Sequence, residues 1–263
     1  MITSTSNQQM KTIVQLNKKS KARRELRAFV VEGIKMFRET PRELLQRVYV
    51  SEQFLKEEKN HAFLAQSGLE YELVSDSVLA HVSDTNTPQG ILAIVRQPDY
   101  AFENLLQADR TRLLVLEDIQ DPGNLGTMFR TGEGAGLTGI IMTRETVDLF
   151  SPKTVRATMG SIYRMPFYVT EDLTDTLYAL REAGIHTYAA HLRGEKYYDE
   201  LDFTGPTAFL IGNEGNGLKK ETADLADTYL KIPMEGQLES LNAAMAAGIL
   251  VYEAHRQCRQ RRT

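Results

Sequence analysis

The 263-residue sequence predicts an α/β fold: a C-terminal parallel-sheet domain preceded by a small α/β domain. Three observations carry this expectation. Short apolar β runs alternate with helical periodicity along the whole chain. In the second half the strands are continuous Val/Ile/Leu runs, as a parallel sheet covered by helices on both faces requires. The polar stretch QPDYAFENLLQADRT (97–111) breaks the rhythm and sets a boundary near residue 106, giving domains 1–106 and 107–263.

In the first domain, RVYV, YELV and ILAIV read as strands. Helical signals lie near 13–28, near 33–45 with Pro41 interrupting, and near 52–66. Ser75-Asp76 marks a further helix start. SDTNTPQG (83–90) is a turn-rich loop ahead of the last strand. The second domain predicts strands at 112–119, 139–143, 186–190, 207–212 and 228–233. Helices are expected to begin near Asn124, at Ser151-Pro152, after Thr170, after Gly217 and at Ser240. Pro152 suits a first helical position, where its missing N–H costs nothing. Gly184, and the glycines of GEGAG (132–136), read as helix ends.

Composition narrows the function. Hydrophobic residues make up 42 %, enough for a full core, yet no run reaches the ~18 apolar residues of a membrane helix. The N-terminus lacks the apolar segment of a secretory signal, so a cytoplasmic location without membrane attachment is expected. Cys258 is the only cysteine and the five histidines are scattered, which predicts no structural metal. The net charge of −4 conceals an asymmetry: residues 1–50 hold eleven Lys/Arg against four Glu. Lys18, Lys19, Lys21, Arg23, Arg24 and Arg27 fall within ten positions, and Arg256, Arg259, Arg261 and Arg262 close the chain. Basic clusters on an acidic body fit a polyanion-binding surface, and a solvated helix face fits them equally well.

Three glycine-rich junctions follow strands of the second domain, where ligands of open parallel sheets bind. They are DIQDPGNLGTMFRTGEGAG (118–136), LIGNEGNGL (210–218) and IPMEGQLESLNAAMAAGILVYE (232–253). None matches G-x-G-x-x-G directly after the first strand, a P-loop or a G-x-S-x-G elbow, which disfavours nicotinamide, nucleotide-hydrolysing and hydrolase chemistry. Gly126 and Arg130 lie four apart on one helix face. Asn124 also suits a helix N-cap, as does Ser240.

NLGTMFR, LIGNEGNGL and IPMEGQLESLN, in this order, resemble the three motifs of the SpoU/TrmH family of S-adenosylmethionine-dependent RNA ribose 2′-O-methyltransferases. SPKTVRATMGS (151–161) is similar to the family segment between the first two motifs. FVVEGIKMFRE and SDTNTPQGILAIV resemble its N-terminal RNA-binding module. The resemblance covers nearly the whole chain and implies a SPOUT domain with a deep C-terminal trefoil knot. It implies catalytic roles for Asn124, Arg130, Glu214, Ser240 and Asn242, with Arg130 central, either as base or as the group that holds a phosphate. It places the cofactor, S-adenosylmethionine, against Gly212, Asn213, Ile232, Met234 and Leu241, and assigns RNA contacts to Lys18, Lys19, Lys21, Arg23 and Arg24. A homodimer, built through the small-residue helix after Asn242, is implied as well. The displacement has a good sulfonium leaving group and needs no metal. Ribosomal RNA is the expected substrate, with transfer RNA or an inactive RNA-binding factor as alternatives. One departure stands out: Ala244 sits where the family often has a second hydroxyl.

Overall fold

A computed structural model of the chain describes residues 1–107 and 110–261. Arg262 of the basic tail lies outside them. The described chain divides into two units: Met1–Pro98 with Phe150–Tyr163, and Asp99–Leu149 with the residues from Arg164 onward.

The first unit contains α1 (Gln8–Lys18), α2 (Ser20–Leu26), β1 (Ala28–Glu32), α3 (Ile34–Glu39), β2 (Leu45–Ser51), α4 (Glu52–Lys56), α5 (Glu58–Ser67), β3 (Glu72–Val74), α6 (Asp76–Val82) and β4 (Ile91–Arg96). Its sheet runs β1-β4-β2-β3, with β4 antiparallel to both neighbours and β2 parallel to β3. Met10, Ile13 and Leu16 repeat at three-residue spacing and give α1 one apolar face. That face joins Val78, Leu79 and Val82 of α6 over Val30, Tyr49 and Leu92 of the sheet. The single helix expected near 13–28 is in fact two. Lys19 is extended between them, and α2 ends at Arg27 in the left-handed region with φ 46°. β1 is not among the expected strands. Four of its five residues are buried, and such a run, without alternation, cannot be told from a buried helix segment.

The second unit is built on β5 (Arg112–Leu116), α7 (Pro122–Ala135), β6 (Gly139–Thr143), β7 (Phe167–Thr170), α9 (Leu173–Glu182), β8 (His186–Ala190), β9 (Lys196–Tyr197), β10 (Thr207–Ile211), α10 (Lys220–Leu225), β11 (Thr228–Lys231) and α11 (Ala243–Gln260), with α8 (Pro152–Thr158) assigned to the first unit. Its seven strands are all parallel, in the order β7-β6-β5-β10-β8-β11-β9. The chain leaves β5 toward β6, while β10 lies on the other side of β5, so the order reverses between β5 and β10. That reversal is where open α/β sheets bind ligands. β7 and β9 are not among the expected strands either; both are short edge strands, and Val169 of β7 is exposed. Both α7 and α9 end in a Schellman turn, at Gly136 and Gly184. α11 packs against α7.

The segment 150–163, which the sequence places in the C-terminal domain, packs with the first unit. Ser151 caps α8 through the Thr154 N–H, and Pro152 takes the first helical position as expected. Phe150 and Tyr163 stack around Phe29 of β1, at 5.0 and 6.2 Å between ring centres. The Tyr163 hydroxyl hydrogen-bonds Thr40 at 3.0 Å, and Arg156 pairs with Asp84 at 2.8 Å.

Candidate active site

The three glycine-rich junctions meet at the carboxyl ends of β5, β10 and β11. β5 stops at Leu116, earlier than expected, because Asp118 takes φ 56°. This turn directs Gln120 and Asp121 toward the loop after β10. Asp121, not Asn124, caps α7, accepting from the Asn124 N–H at 2.8 Å, and Pro122 follows it at the helix start. Relieved of the capping role, the Asn124 side chain turns to Glu214.

Glu214 is held by three donors. Its Oε1 accepts from Asp121 N and Asn124 Nδ2, each at 3.0 Å, and its Oε2 accepts from Gln120 N at 2.9 Å. Burial alone would raise its carboxyl; these hydrogen bonds outweigh burial and hold it below the usual carboxylate range. It is therefore an anion at neutral pH. A carboxylate can only accept, so the Asn124 amide nitrogen must face it and the Asn124 oxygen must face away. That oxygen accepts from Asn242 Nδ2 at 2.9 Å. The Asn242 oxygen in turn accepts from Ala244 N and Met245 N, capping α11. Each amide has one consistent orientation, and three residues from three junctions form one network.

The N-cap of α11 is thus Asn242, not Ser240. Ser240 lies exposed in the irregular segment before the helix. Ala244, the departure from the family pattern, is buried in the first turn of α11.

Beside the network is a cavity of about 300 Å³. All five residues assigned to the cofactor line it: Gly212, Asn213, Ile232, Met234 and Leu241. Glu214 and Ser240 also reach it, as do His191 and Leu192 from the loop after β8, which carries no signal in the sequence. Gly212 is required here by close approach. A Cβ on it would overlap the carbonyl carbon of Gly217 and the amide nitrogen of Leu218. The loop folds back so tightly because Asn213 and Gly217 exchange both backbone hydrogen bonds, at 3.1 and 2.9 Å. The Asn213 side chain is committed to this loop: its oxygen accepts from Gly215 N and Asn216 N, and its nitrogen donates to the Asp118 carbonyl.

Arg130 stands apart from the network. It is exposed on α7, six residues beyond Asn124 and so about 120° around the helix and ~9 Å along it. Its side chain has no hydrogen bond or ion pair among the described residues. Gly126 is buried within the chain.

The N-terminal basic cluster also separates. Lys18, Lys19, Lys21 and Arg24 are exposed, with Lys21 in an ion pair to Glu25 at 3.8 Å. Arg23 is 5 % exposed, and its guanidinium donates to the carbonyls of Leu16 and Asn17 at the end of α1. It satisfies orphan helix carbonyls in place of presenting charge to solvent. In the tail, Arg256 pairs with Glu253 and Arg261 donates to Thr204.

A parallel sheet with its ligand cavity at the strand-order reversal, walled by glycine loops and bordered by an amide–carboxylate network, defines an α/β enzyme that holds a small molecule beside a polar reaction site. The chain belongs to the SpoU rRNA methylase family, whose model matches residues 111–252. An MRM3-like substrate binding domain matches residues 7–93. Among its relatives is the 23S rRNA (guanosine(2553)-2′-O)-methyltransferase RlmP of Bacillus subtilis, 34 % identical over 95 % of this chain and 97 % of that protein. The AdoMet-bound rRNA methyltransferase from Sinorhizobium meliloti is 33 % identical with a TM-score of 0.82, covering 97 % of each chain. The SpoU methyltransferase AviRb from Streptomyces viridochromogenes, in complex with AdoMet, has a TM-score of 0.85 at 26 % identity, covering 95 % of this chain and 98 % of that one.

Proposed function

We propose that this protein transfers a methyl group from S-adenosylmethionine to a ribose 2′-oxygen of ribosomal RNA. The observation that carries the reading is the junction of the 300 Å³ cavity with the Asn124–Glu214–Asn242 network at the ends of β5, β10 and β11. The residues present suit the cofactor: Ile211, Ile232, Met234 and Leu241 offer an apolar slot, and the glycine loop offers backbone groups, as nucleoside pockets of this size require. When bound, S-adenosylmethionine supplies an electrophilic methyl group on a good leaving group.

The work left to the protein is to align the ribose hydroxyl and assist departure of its proton. Glu214 is a poor candidate for base. Its proton affinity is lowered and three donors occupy it, so it holds Asn124 in place. Asn124 and Asn242 keep one amide hydrogen each beyond the network to offer to substrate. Arg130 is exposed and matches the family motif. It takes a backbone phosphate in its fork and stabilises charge around the reacting sugar.

The knotted path of the C-terminal segment belongs to this reading through the family resemblance, with 107–263 as the methyltransferase domain and 1–106 as the RNA-substrate domain. A homodimer belongs to it too, supported by Met245 and Tyr252, which are 60 % and 50 % exposed on α11. The location is cytoplasmic, and among the described residues no helix is long and apolar enough to cross a membrane.

Mapping ribose methylation in total RNA with and without the protein tests the reading. One ribosomal 2′-O-methyl mark should depend on it. No lost mark, together with no calorimetric uptake of S-adenosylmethionine by the pure protein, would end the proposal.

RNA binding by the first unit gives a separate expected result. Replacing Lys18, Lys19, Lys21 and Arg24 together by glutamine should weaken RNA binding and flatten its salt dependence, by roughly 0.7–0.9 in slope for each phosphate no longer neutralised. Arg23 is left out because it holds carbonyls inside the unit. Arg23→Gln should instead lower thermal stability. An unchanged salt slope in the fourfold variant would mark these cations as a solvated face.

A further inference from the structure

We propose that Lys219 is a positioning residue for methyl transfer: its ammonium ties the loop 212–218 to the end of β5 and so sets where Glu214 and the cavity wall stand. The proposal rests on the methyltransferase reading of this site.

Two consecutive acids, Glu117 and Asp118, follow β5. Glu117 is 3 % exposed. A carboxylate that deep is stable only when hydrogen-bonded and matched by a positive charge. Its Oε2 accepts from the Lys219 N–H at 2.8 Å, its Oε1 accepts from the Thr222 hydroxyl at 2.5 Å, and the Lys219 ammonium lies 3.9 Å from Oε1. Asp118, in its left-handed conformation, directs Oδ2 at the same ammonium, at 2.8 Å. Its Oδ1 accepts from Thr143 of β6 at 2.8 Å. One cation thus serves both carboxylates.

The loop after β10 is consequently pinned at both ends to the same turn. At its start, Asn213 Nδ2 donates to the Asp118 carbonyl at 2.8 Å. At its end, Lys219 binds the Asp118 and Glu117 carboxylates. Between these anchors Glu214 reaches Gln120, Asp121 and Asn124. Lys219 is absent from the residues lining the donor cavity, so its influence passes through the loop. Removing the ammonium leaves two adjacent carboxylates, one of them buried, with the end of the loop held to the β5 turn by the Lys219 N–H on Glu117 and no longer by the Asp118 ion pair.

The test uses the full chain carrying Lys219→Met or Lys219→Arg, studied well below the melting temperature of each variant. Amide hydrogen exchange across 212–218, read without donor or RNA, should accelerate in the methionine variant and return toward wild type in the arginine variant. Methyl transfer should show kcat reduced on the order of 10-fold to 100-fold by methionine and largely restored by arginine. In a Glu214→Gln background the same Lys219→Met change should cost much less, because both act on one element. Should Lys219→Met not fold, Asp118→Asn removes the nearer of the ammonium's two carboxylate partners and should accelerate exchange in the same segment. Unchanged exchange in 212–218, or an equal kcat loss with and without Glu214, would overturn the proposal. A wild-type protein that transfers no methyl group would instead overturn the proposed function, while exchange still reads the positioning.

Discussion

Arg130→Ala is expected to reduce kcat for RNA methylation by on the order of 10²–10³, the loss typical when a preorganised group opposite developing charge is removed. Donor affinity should stay within about twofold, because Arg130 does not line the donor cavity. Melting temperature should not move. The side chain is exposed and makes no polar contact among the described residues, and such substitutions usually stay within about 0.5 kcal/mol. Arg130→Lys separates charge from geometry. It retains the positive charge but loses the planar fork, so a requirement for bidentate phosphate binding leaves it closer to alanine than to wild type. Single-turnover methyl transfer on a ribosomal RNA fragment, alongside calorimetry with S-adenosylhomocysteine, measures both quantities. An unchanged kcat in the alanine variant would remove Arg130 from the reaction.

How far such roles can be read from sequence depends on how local their causes are. The central strands of the second unit are legible because they are continuous apolar runs: all five residues of β6 and of β10 are buried. β7 escapes because it is a half-exposed edge strand of four residues. Helix starts are legible as a class but misplaced by a few positions where two capping residues compete. Asp121-Pro122 is a better start than Asn124, since proline at the first helical position fixes φ at no hydrogen-bond cost. Ser240 and Asn242 both have capping chemistry, and only the observed turn, with Asn242 accepting from two N–H groups, decides between them. The motif residues lining the cavity are legible through the family resemblance, each within a junction that follows a strand. Their mutual contacts are not, because Asn124 lies 90 residues from Glu214 and 118 from Asn242. Arg23 shows the converse limit. Within a run of cations nothing local marks the one whose guanidinium turns inward to carbonyls.

Gly212→Ala should be the most damaging single methyl group that can be added near the cavity. The new Cβ would overlap the backbone of Gly217 and Leu218. No side chain can rotate away to make room, since the obstructing atoms are the loop's own peptide group. Relief requires opening the Asn213–Gly217 pair, and with it the turn that carries Glu214 to Gln120, Asp121 and Asn124. Overpacking of this kind costs about 1–3 kcal/mol, or more when backbone must shift. For a unit of this size each kcal/mol lowers the melting temperature by about 2–4 °C. Donor affinity should fall more than ~10-fold, since the displaced loop is one wall of the cavity. Gly217→Ala is the matched control. A Cβ there meets nothing within 4 Å, and only its φ of +69° opposes the substitution, at roughly 1–2 kcal/mol. It should therefore lower stability while leaving donor affinity nearer wild type. Thermal melts and calorimetry on both variants decide the matter. Equal losses of donor affinity at the two positions would mean that general loop stability, and not the close backbone approach at Gly212, shapes the cavity.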